Sequence, residues 1–290
     1  MKFLRALLIL GRVSNLPTVW SNCLAGWLLG GGGGYEKLPL LFAGATFLYT
    51  GGMFLNDAFD VEFDREHRAE RPIPSRAISA GAVWAWGFGW LFAGIVCLFW
   101  LGSRTGVTGL VLFACILIYD WIHKRTILAP VLMGVCRTVL YLVAAATAAE
   151  GVTGWAVWGG LVMGAYVIGL SYLARGESQK SVEPNESGVL RYWPLLFLAN
   201  PVVLALVANA NGYRNGALLI SAIVLLWVAK SLRYTLWTPQ RNVGRAVSGL
   251  LAGIVLVDWL AVCYAPKDWG FIFIGLFLSA LMFQRFIPAT

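Results

Sequence analysis

Ten apolar runs dominate this chain. Each approaches the roughly 20 residues a helix needs to cross a bilayer, and they fall at about 16–34, 38–58, 81–101, 105–121, 129–149, 154–174, 191–210, 216–236, 243–263 and 269–287. Backbone N–H and C=O groups inside lipid must be satisfied within a helix or a closed barrel. The strand-like alternation that a barrel shows over about ten residues is absent. The pattern predicts an all-α fold, a polytopic membrane bundle of nine transmembrane helices, or ten if the short last run is counted. Gly and Ala are scattered through the runs, as in GGLVMGAYVIG, and small residues let membrane helices approach closely. With 59% hydrophobic and 12% charged residues, no soluble domain separates from the spans, so residues 1–290 read as a single domain.

The basic residues give an orientation. With the N-terminus inside, the inner segments hold 17 of the 22 Lys and Arg. The outer segments hold Lys37, Arg104, Arg214 and Lys267, and Arg137 falls within a span. By the positive-inside rule this predicts an integral protein of the cell inner or plasma membrane with a cytoplasmic N-terminus. The net charge of +8 then reflects an inner-leaflet surface in contact with membrane lipid, and nucleic acid is not expected as a partner.

Smaller features are read the same way. MKFLRALLIL resembles a signal sequence, but Arg12 interrupts it and no small-x-small site follows, so an interfacial helix is expected. The glycine run at 30–34 reads as a flexible external turn. Cys23, Cys97, Cys115, Cys136 and Cys263 stand singly in apolar segments without ligand spacing, as packing residues do. His67 and His123 also lack ligand spacing, although His123 could cap its loop.

The carboxylates are unevenly placed. Six of the 14 Asp and Glu fall within NDAFDVEFDREHRAERPIPSRAIS, residues 56–79, directly after an apolar run. If the second helix continues past the membrane edge, Asp57, Asp60 and Asp64 share one face, with Asn56 at its border and Glu62 pointing away. Oxygen-only ligands favour a hard cation, and Mg2+ takes one or two carboxylates together with substrate phosphates. Arg65, Arg68, Arg71 and Arg76 follow at once and suit phosphate oxygens. The competing explanation is a solvated, salt-bridged helix end.

The stretch resembles the first Asp-rich motif of the UbiA superfamily of intramembrane prenyltransferases, matching N-D-x-x-D-x-x-x-D at Asn56, Asp57, Asp60 and Asp64. RPIPS at 71–75 is similar to the family's R-P-[IL]-P-S-G, with Arg76 where Gly is usual. RVSNLPTVWSNCLAGWLL at 12–29, including Asn22, resembles its first helix. HKRTILAPVLMGVCR at 123–137 resembles its basic loop and fifth span. One departure is plain: the second acidic motif should fall near SYLARGESQKS, 171–181, which offers Arg175, Glu177 and Lys180 but no Asp.

What the resemblance implies is a nine-helix bundle around a cavity open to the cytoplasm, where a prenyl diphosphate is bound through Mg2+. Asn56, Asp57, Asp60 and Asp64 are expected as metal ligands. Asn22, Arg68, Lys124, Arg125, Arg137, Arg175 and Glu177 are expected around the diphosphate. A small hydrophobic or polar acceptor would attack the allylic carbon, and a phosphorylated one would suit the added bases. Where the second motif is lost, either one Mg2+ remains and Arg175 and Lys180 stand in for the second cation, or the chain is a divergent branch whose acceptor or chemistry differs. Arg137, costly inside a span, must face the interior as a diphosphate contact or as half of a structural pair, for instance with Asp120. Asp258 reads as a structural hydrogen-bonding partner, and Lys124 and Arg125 as phosphate ligands or topology determinants. A terpene cyclase of the same fold, needing no acceptor, and a non-enzymatic isoprenoid carrier are the alternatives.

Overall fold

A computed structural model of the chain describes residues 2–178, 193–208, 214–236 and 242–288. Twelve α-helices follow one another: α1 (Lys2–Leu10), α2 (Leu16–Leu29), α3 (Leu38–Phe59), α4 (Val61–His67), α5 (Ala80–Leu101) and α6 (Ser103–Ile122). After them come α7 (Ala129–Thr147), α8 (Gly154–Ser178), α9 (Pro194–Ala208), α10 (Arg214–Leu236), α11 (Val243–Ala261) and α12 (Asp268–Phe283). Every helix except α1 and α4 occupies one of the apolar runs. Among the described residues, seven helices are long and apolar enough to cross a membrane. In the remaining runs, α2 and α12 have 14 and 16 residues, short of the roughly 20 that a perpendicular crossing uses, and 15 residues of α9 are described. The protein is an integral membrane protein of the all-α class.

Local chemistry sets the helix ends. Pro17, Pro39 and Pro130 lie in the first turns of α2, α3 and α7, where a missing N–H costs nothing. Ser79 caps α5 by accepting from the Ala82 N–H at 3.2 Å, and the Asn242 side chain caps α11 through the Arg245 N–H at 2.9 Å. Between α5 and α6 the chain breaks at Gly102, whose φ of 144° suits glycine.

Close helix crossings depend on small residues. A Cβ added at Gly134 of α7 would stand 2.6 Å from the Gly164 carbonyl of α8, and one at Gly164 would stand 2.9 Å from the Gly134 carbonyl. The α3–α5 crossing is similar, with Gly51 set 2.8 Å from the Gly87 carbonyl by the same construction. Helix α11 lies at the centre, its Val247, Leu250, Ile254 and Val255 almost wholly buried, and it packs against α2, α8, α10 and α12.

The first helix lays Leu10 into a small cluster with Phe54, Ala58, Ile73, Ile78 and Val83, while Phe3 and Leu4 stay exposed. That cluster braces the end of α3 where the acids lie. At the opposite end the glycine run, expected to be flexible, is folded back and pinned. The Ala149 and Glu150 N–H groups donate to the Gly32 and Gly30 carbonyls at 2.8 and 2.9 Å. Gly31, Gly32 and Gly33 all take positive φ, which explains the run better than looseness does. Trp27, Tyr35 and Trp269 pack there with ring centroids 5.7 to 6.1 Å apart, beside a cavity of about 970 Å³. This cavity is walled by the C-terminal end of α2, Trp27 to Leu29, whereas the acids lie beside Arg12, just before its N-terminal end.

Candidate active site

The acid motif starts in a helix and outlasts it. Helix α3 ends at Phe59, and Asp60 takes φ −86° and ψ 0°. The turn is still bridged: the Asp60 N–H donates to the Asn56 carbonyl at 3.1 Å and the Asp64 N–H to the Asp60 carbonyl at 2.9 Å. The helical sense therefore survives the break, and Asp64 stays on the side of Asp57, both facing Arg71. Asn56, Asp57 and Asp64 are buried at 5%, 4% and 2% exposure, which rules out a solvated helix end. Glu62 points away, paired with Arg65 at 2.8 Å on the surface.

Each of the three motif aspartates faces a base. Arg71 Nη1 lies 2.8 Å from Asp57 and 3.6 Å from Asp64. Arg12 Nη2 lies 3.5 Å from Asp57 and donates to Asn56 Oδ1 at 3.4 Å. Asp60 Oδ1 meets His123 Nε2 at 3.0 Å and Lys124 Nζ at 2.9 Å, and Lys124 also sits 3.6 Å over the Phe63 ring. Asn56 donates its amide to Asp120 Oδ1 at 3.2 Å. Beside this group lies a cavity of about 250 Å³ lined by Phe59, Asp60, Asp120, Trp121, His123, Lys124 and Arg125.

The charges tune one another. Burial pushes Asp60 up, but the hydrogen bonds from His123 and Lys124 outweigh it and hold the carboxyl below its ordinary value. Asp64 goes the other way: burial raises it, Arg71 only partly offsets this, and Asp60 and Asp57 add repulsion. Burial also opposes the charge on Arg12, yet Asp57 and the surrounding groups keep its pKa above the usual arginine value.

Asp57, Asp60 and Asp64 therefore share one rim without converging on one point. Among the described residues, no three His, Cys, Asp or Glu side chains are grouped to hold a metal ion. The donor chemistry nevertheless fits a hard cation: the acids offer oxygen alone, and two buried carboxylate oxygens, Asp64 Oδ1 and Asp120 Oδ2, have no hydrogen-bond partner among the described residues.

The other expected site residues separate into groups. Lys124 joins the rim, and Arg125 stands 5.9 Å from the exposed Trp121 ring. Arg68 is exposed, because the turn after α4 folds back and delivers Arg71 to the acids in its place. Arg175 donates to the Thr126 carbonyl at 2.8 Å, holding the α6–α7 loop. The side chains of Glu177 and Lys180 lie outside the described residues. Arg137 is not paired with Asp120: its Nη1 donates to Asn22 Oδ1 at 2.6 Å, so Asn22 and Arg137 form a deeper group. Asp258 accepts there from Ser21 at 2.5 Å, from Asn22 and from Tyr141.

Sequence reasoning passed over Arg12, His123 and Asp120 as members of the rim. Asp120 carried a usable signal as the one acid in its span. Arg76 explains the glycine that is usual at its position: φ is 60° there, a conformation that a side chain adopts only at a cost.

An all-α membrane bundle with a buried acid–base rim at one end defines the class. Among solved structures, the apo form of a UbiA homolog from Aeropyrum pernix K1 superposes with a TM-score of 0.67 at 17% identity, covering 88% of this chain and 98% of that one. A UbiA homolog from Archaeoglobus fulgidus bound to DMAPP and Mg2+ gives a TM-score of 0.54 at 14% identity, covering 97% and 98%. In sequence, a digeranylgeranylglyceryl phosphate synthase of Pyrococcus horikoshii is 34% identical over 86 residues, 30% of this chain and 31% of that protein. The match thus spans about a third of that relative's length. The sequence profile described as the UbiA prenyltransferase family matches residues 16–183, and the chain belongs to that family.

Proposed function

We propose that this protein is a Mg2+-dependent intramembrane prenyltransferase that moves an isoprenyl group from a prenyl diphosphate to a small acceptor and releases diphosphate. The carrying observation is the rim itself: Asn56, Asp57 and Asp64 lie buried and Asp60 partly buried beside Arg12, Arg71 and Lys124. Family membership supports the reaction class. The Archaeoglobus fulgidus homolog described as bound to DMAPP and Mg2+ supports the donor and the metal. The relative named for digeranylgeranylglyceryl phosphate supports an acceptor that bears a phosphate.

Asn56, Asp57, Asp60 and Asp64 would hold the metal. Bound there, Mg2+ supplies neutralisation of the charge that builds on the departing diphosphate. Arg71 and Lys124 are pre-positioned by their pairs with Asp57 and Asp60, and reach phosphate oxygens as those carboxylates change partner. The C–O bond from the allylic carbon to diphosphate breaks with its electron pair on the diphosphate. The acceptor's nucleophile bonds to that carbon, and its proton passes to the released diphosphate or to water. His123, whose two ring nitrogens face Asp60 and the Asp120 carbonyl, fixes the loop that carries Lys124. The distribution of Lys and Arg supports a cytoplasmic rim and N-terminus, and the shared central core supports one domain.

The test is product analysis. Purified protein given geranyl diphosphate, Mg2+ and an alkylglyceryl phosphate should yield the prenylated lipid and pyrophosphate by mass spectrometry. Cyclic product formed without acceptor, or no pyrophosphate across a panel of acceptors, would contradict the reading.

A further inference from the structure

A second polar group lies inside the apolar bundle, away from the acid rim. Asp258 of α11 is fully buried, so each oxygen needs donors. It finds them in the Ser21 hydroxyl, the Asn22 amide at 2.8 and 3.0 Å, and the Tyr141 hydroxyl. Asn22 is equally buried, and its Oδ1 accepts from Arg137 Nη1 at 2.6 Å. Arg137 also donates to the Thr18 carbonyl at 3.4 Å and to the Thr18 hydroxyl at 3.3 Å.

The direction of this chain is forced by chemistry. A carboxylate only accepts hydrogen bonds and a guanidinium only donates them. Held between the two, Asn22 has one orientation available: NH2 toward Asp258, carbonyl toward Arg137. An asparagine between two neutral partners could flip at little cost, whereas this one cannot. The buried carboxylate thereby fixes the amide, and the amide fixes the guanidinium.

Arg137 is only half-buried, unlike the residues behind it. Its guanidinium carries five N–H groups, and the three bonds to Thr18 and Asn22 leave two without a partner among the described residues. It stands 5.9 Å from the Tyr49 ring, and Tyr49 precedes Asp57 by eight positions on α3. At 1.5 Å per residue the Tyr49 backbone lies about 12 Å along α3 from Asp57, inside the bundle. A cation kept at such depth, with an unused fork of donors, matches the geometry with which arginine grips phosphate.

We propose that Asp258, acting through Asn22, is a positioning residue that aims Arg137 at a phosphate oxyanion of the substrate below the acid rim. The assignment rests on the prenyl-transfer reading for the identity of that substrate. The phosphate belongs either to the prenyl diphosphate or to a phosphate-bearing acceptor, and binding separates the two.

The experiment is calorimetric titration of the purified full chain with two probes, geranyl diphosphate plus Mg2+ and a monoalkylglyceryl phosphate. Asp258→Asn, which replaces a fixed acceptor by an amide that also donates and so loosens the hold on the Asn22 NH2 group, should weaken one probe at least tenfold, as should Arg137→Ala. The double variant should bind no more weakly than Arg137→Ala alone, since Asp258 acts through Arg137. Tyr141→Phe removes a bond to the same carboxylate without touching Asn22; it should lower thermal stability and leave both affinities as in wild type. Asn22→Ser carries the same expectation as Asp258→Asn if the latter is not recovered folded. Unchanged affinity for both probes, or losses that add in the double variant, overturns the proposal. A wild type that binds but releases no pyrophosphate overturns only the transfer reading; one that binds neither probe overturns both.

Discussion

Arg71 Nη1 and Asp57 Oδ1 lie 2.8 Å apart, with their side chains only 16% and 5% exposed. Fourteen positions and a full reversal of the chain separate them. This pair joins the loop after α4 to the end of α3 and gives the rim its shape. The same loop is braced from beneath by Ile73 and Ile78 against Leu10 and Phe54.

Removing Arg71 should therefore damage both fold and site. Breaking a buried pair by deleting one partner costs about 3–5 kcal/mol, and here the loss should fall at or below the lower end because Arg12 remains near Asp57. Arg71→Met should lower the melting temperature and raise the KM for prenyl diphosphate, whereas Arg68→Met, on an exposed residue, should do neither.

Arg76 offers a test in the opposite direction. Its φ of 60° costs an L-residue about 1–2 kcal/mol, partly offset by the greater unfolded-state freedom of glycine. Arg76→Gly should raise stability by up to about 1 kcal/mol, read as a higher midpoint in thermal or denaturant unfolding, with turnover unchanged.

Helix contact at Gly134 should be intolerant of a single methyl group. With the Gly164 carbonyl 2.6 Å from the added Cβ, Gly134→Ala forces α7 and α8 apart and should cost about 1–3 kcal/mol. Gly81→Ala meets nothing within 4 Å and should be neutral or mildly stabilising. Comparing the two on size-exclusion chromatography and thermal melts separates packing from helix propensity.

Arg175 should act through the loop. Because it grips the Thr126 carbonyl, close to Lys124, Arg175→Ala should raise the KM for prenyl diphosphate a few-fold while kcat changes little. A fall in kcat at unchanged KM would point to a direct role in the chemistry.

The helices were legible because lipid leaves the backbone no alternative: every apolar run became a helix. Their lengths were less so, since Pro17 and the glycine run trim α2 to 14 residues without changing its hydropathy. On the rim, Asn56, Asp57, Asp60 and Asp64 were legible from helical spacing, which survives the break at Asp60. The partners were not. Arg68 and Arg71 look equivalent in sequence, and only the turn through Pro72 to Ser75 decides which one reaches the acids. Arg12 is brought in by its own left-handed backbone, φ 41°, a feature no periodicity announces. Asp258 and Asn22 meet across 236 positions, a contact that depends on how α11 packs against α2.

The most direct trial of the central claim measures pyrophosphate release from geranyl diphosphate as Mg2+ is titrated, in wild type, Asp57→Asn and Asp60→Asn. Wild type should show saturable Mg2+ dependence and be silenced by chelator, and both variants should lose at least a hundredfold while they remain folded. Full-rate release by either variant, or release that ignores Mg2+, would contradict that claim.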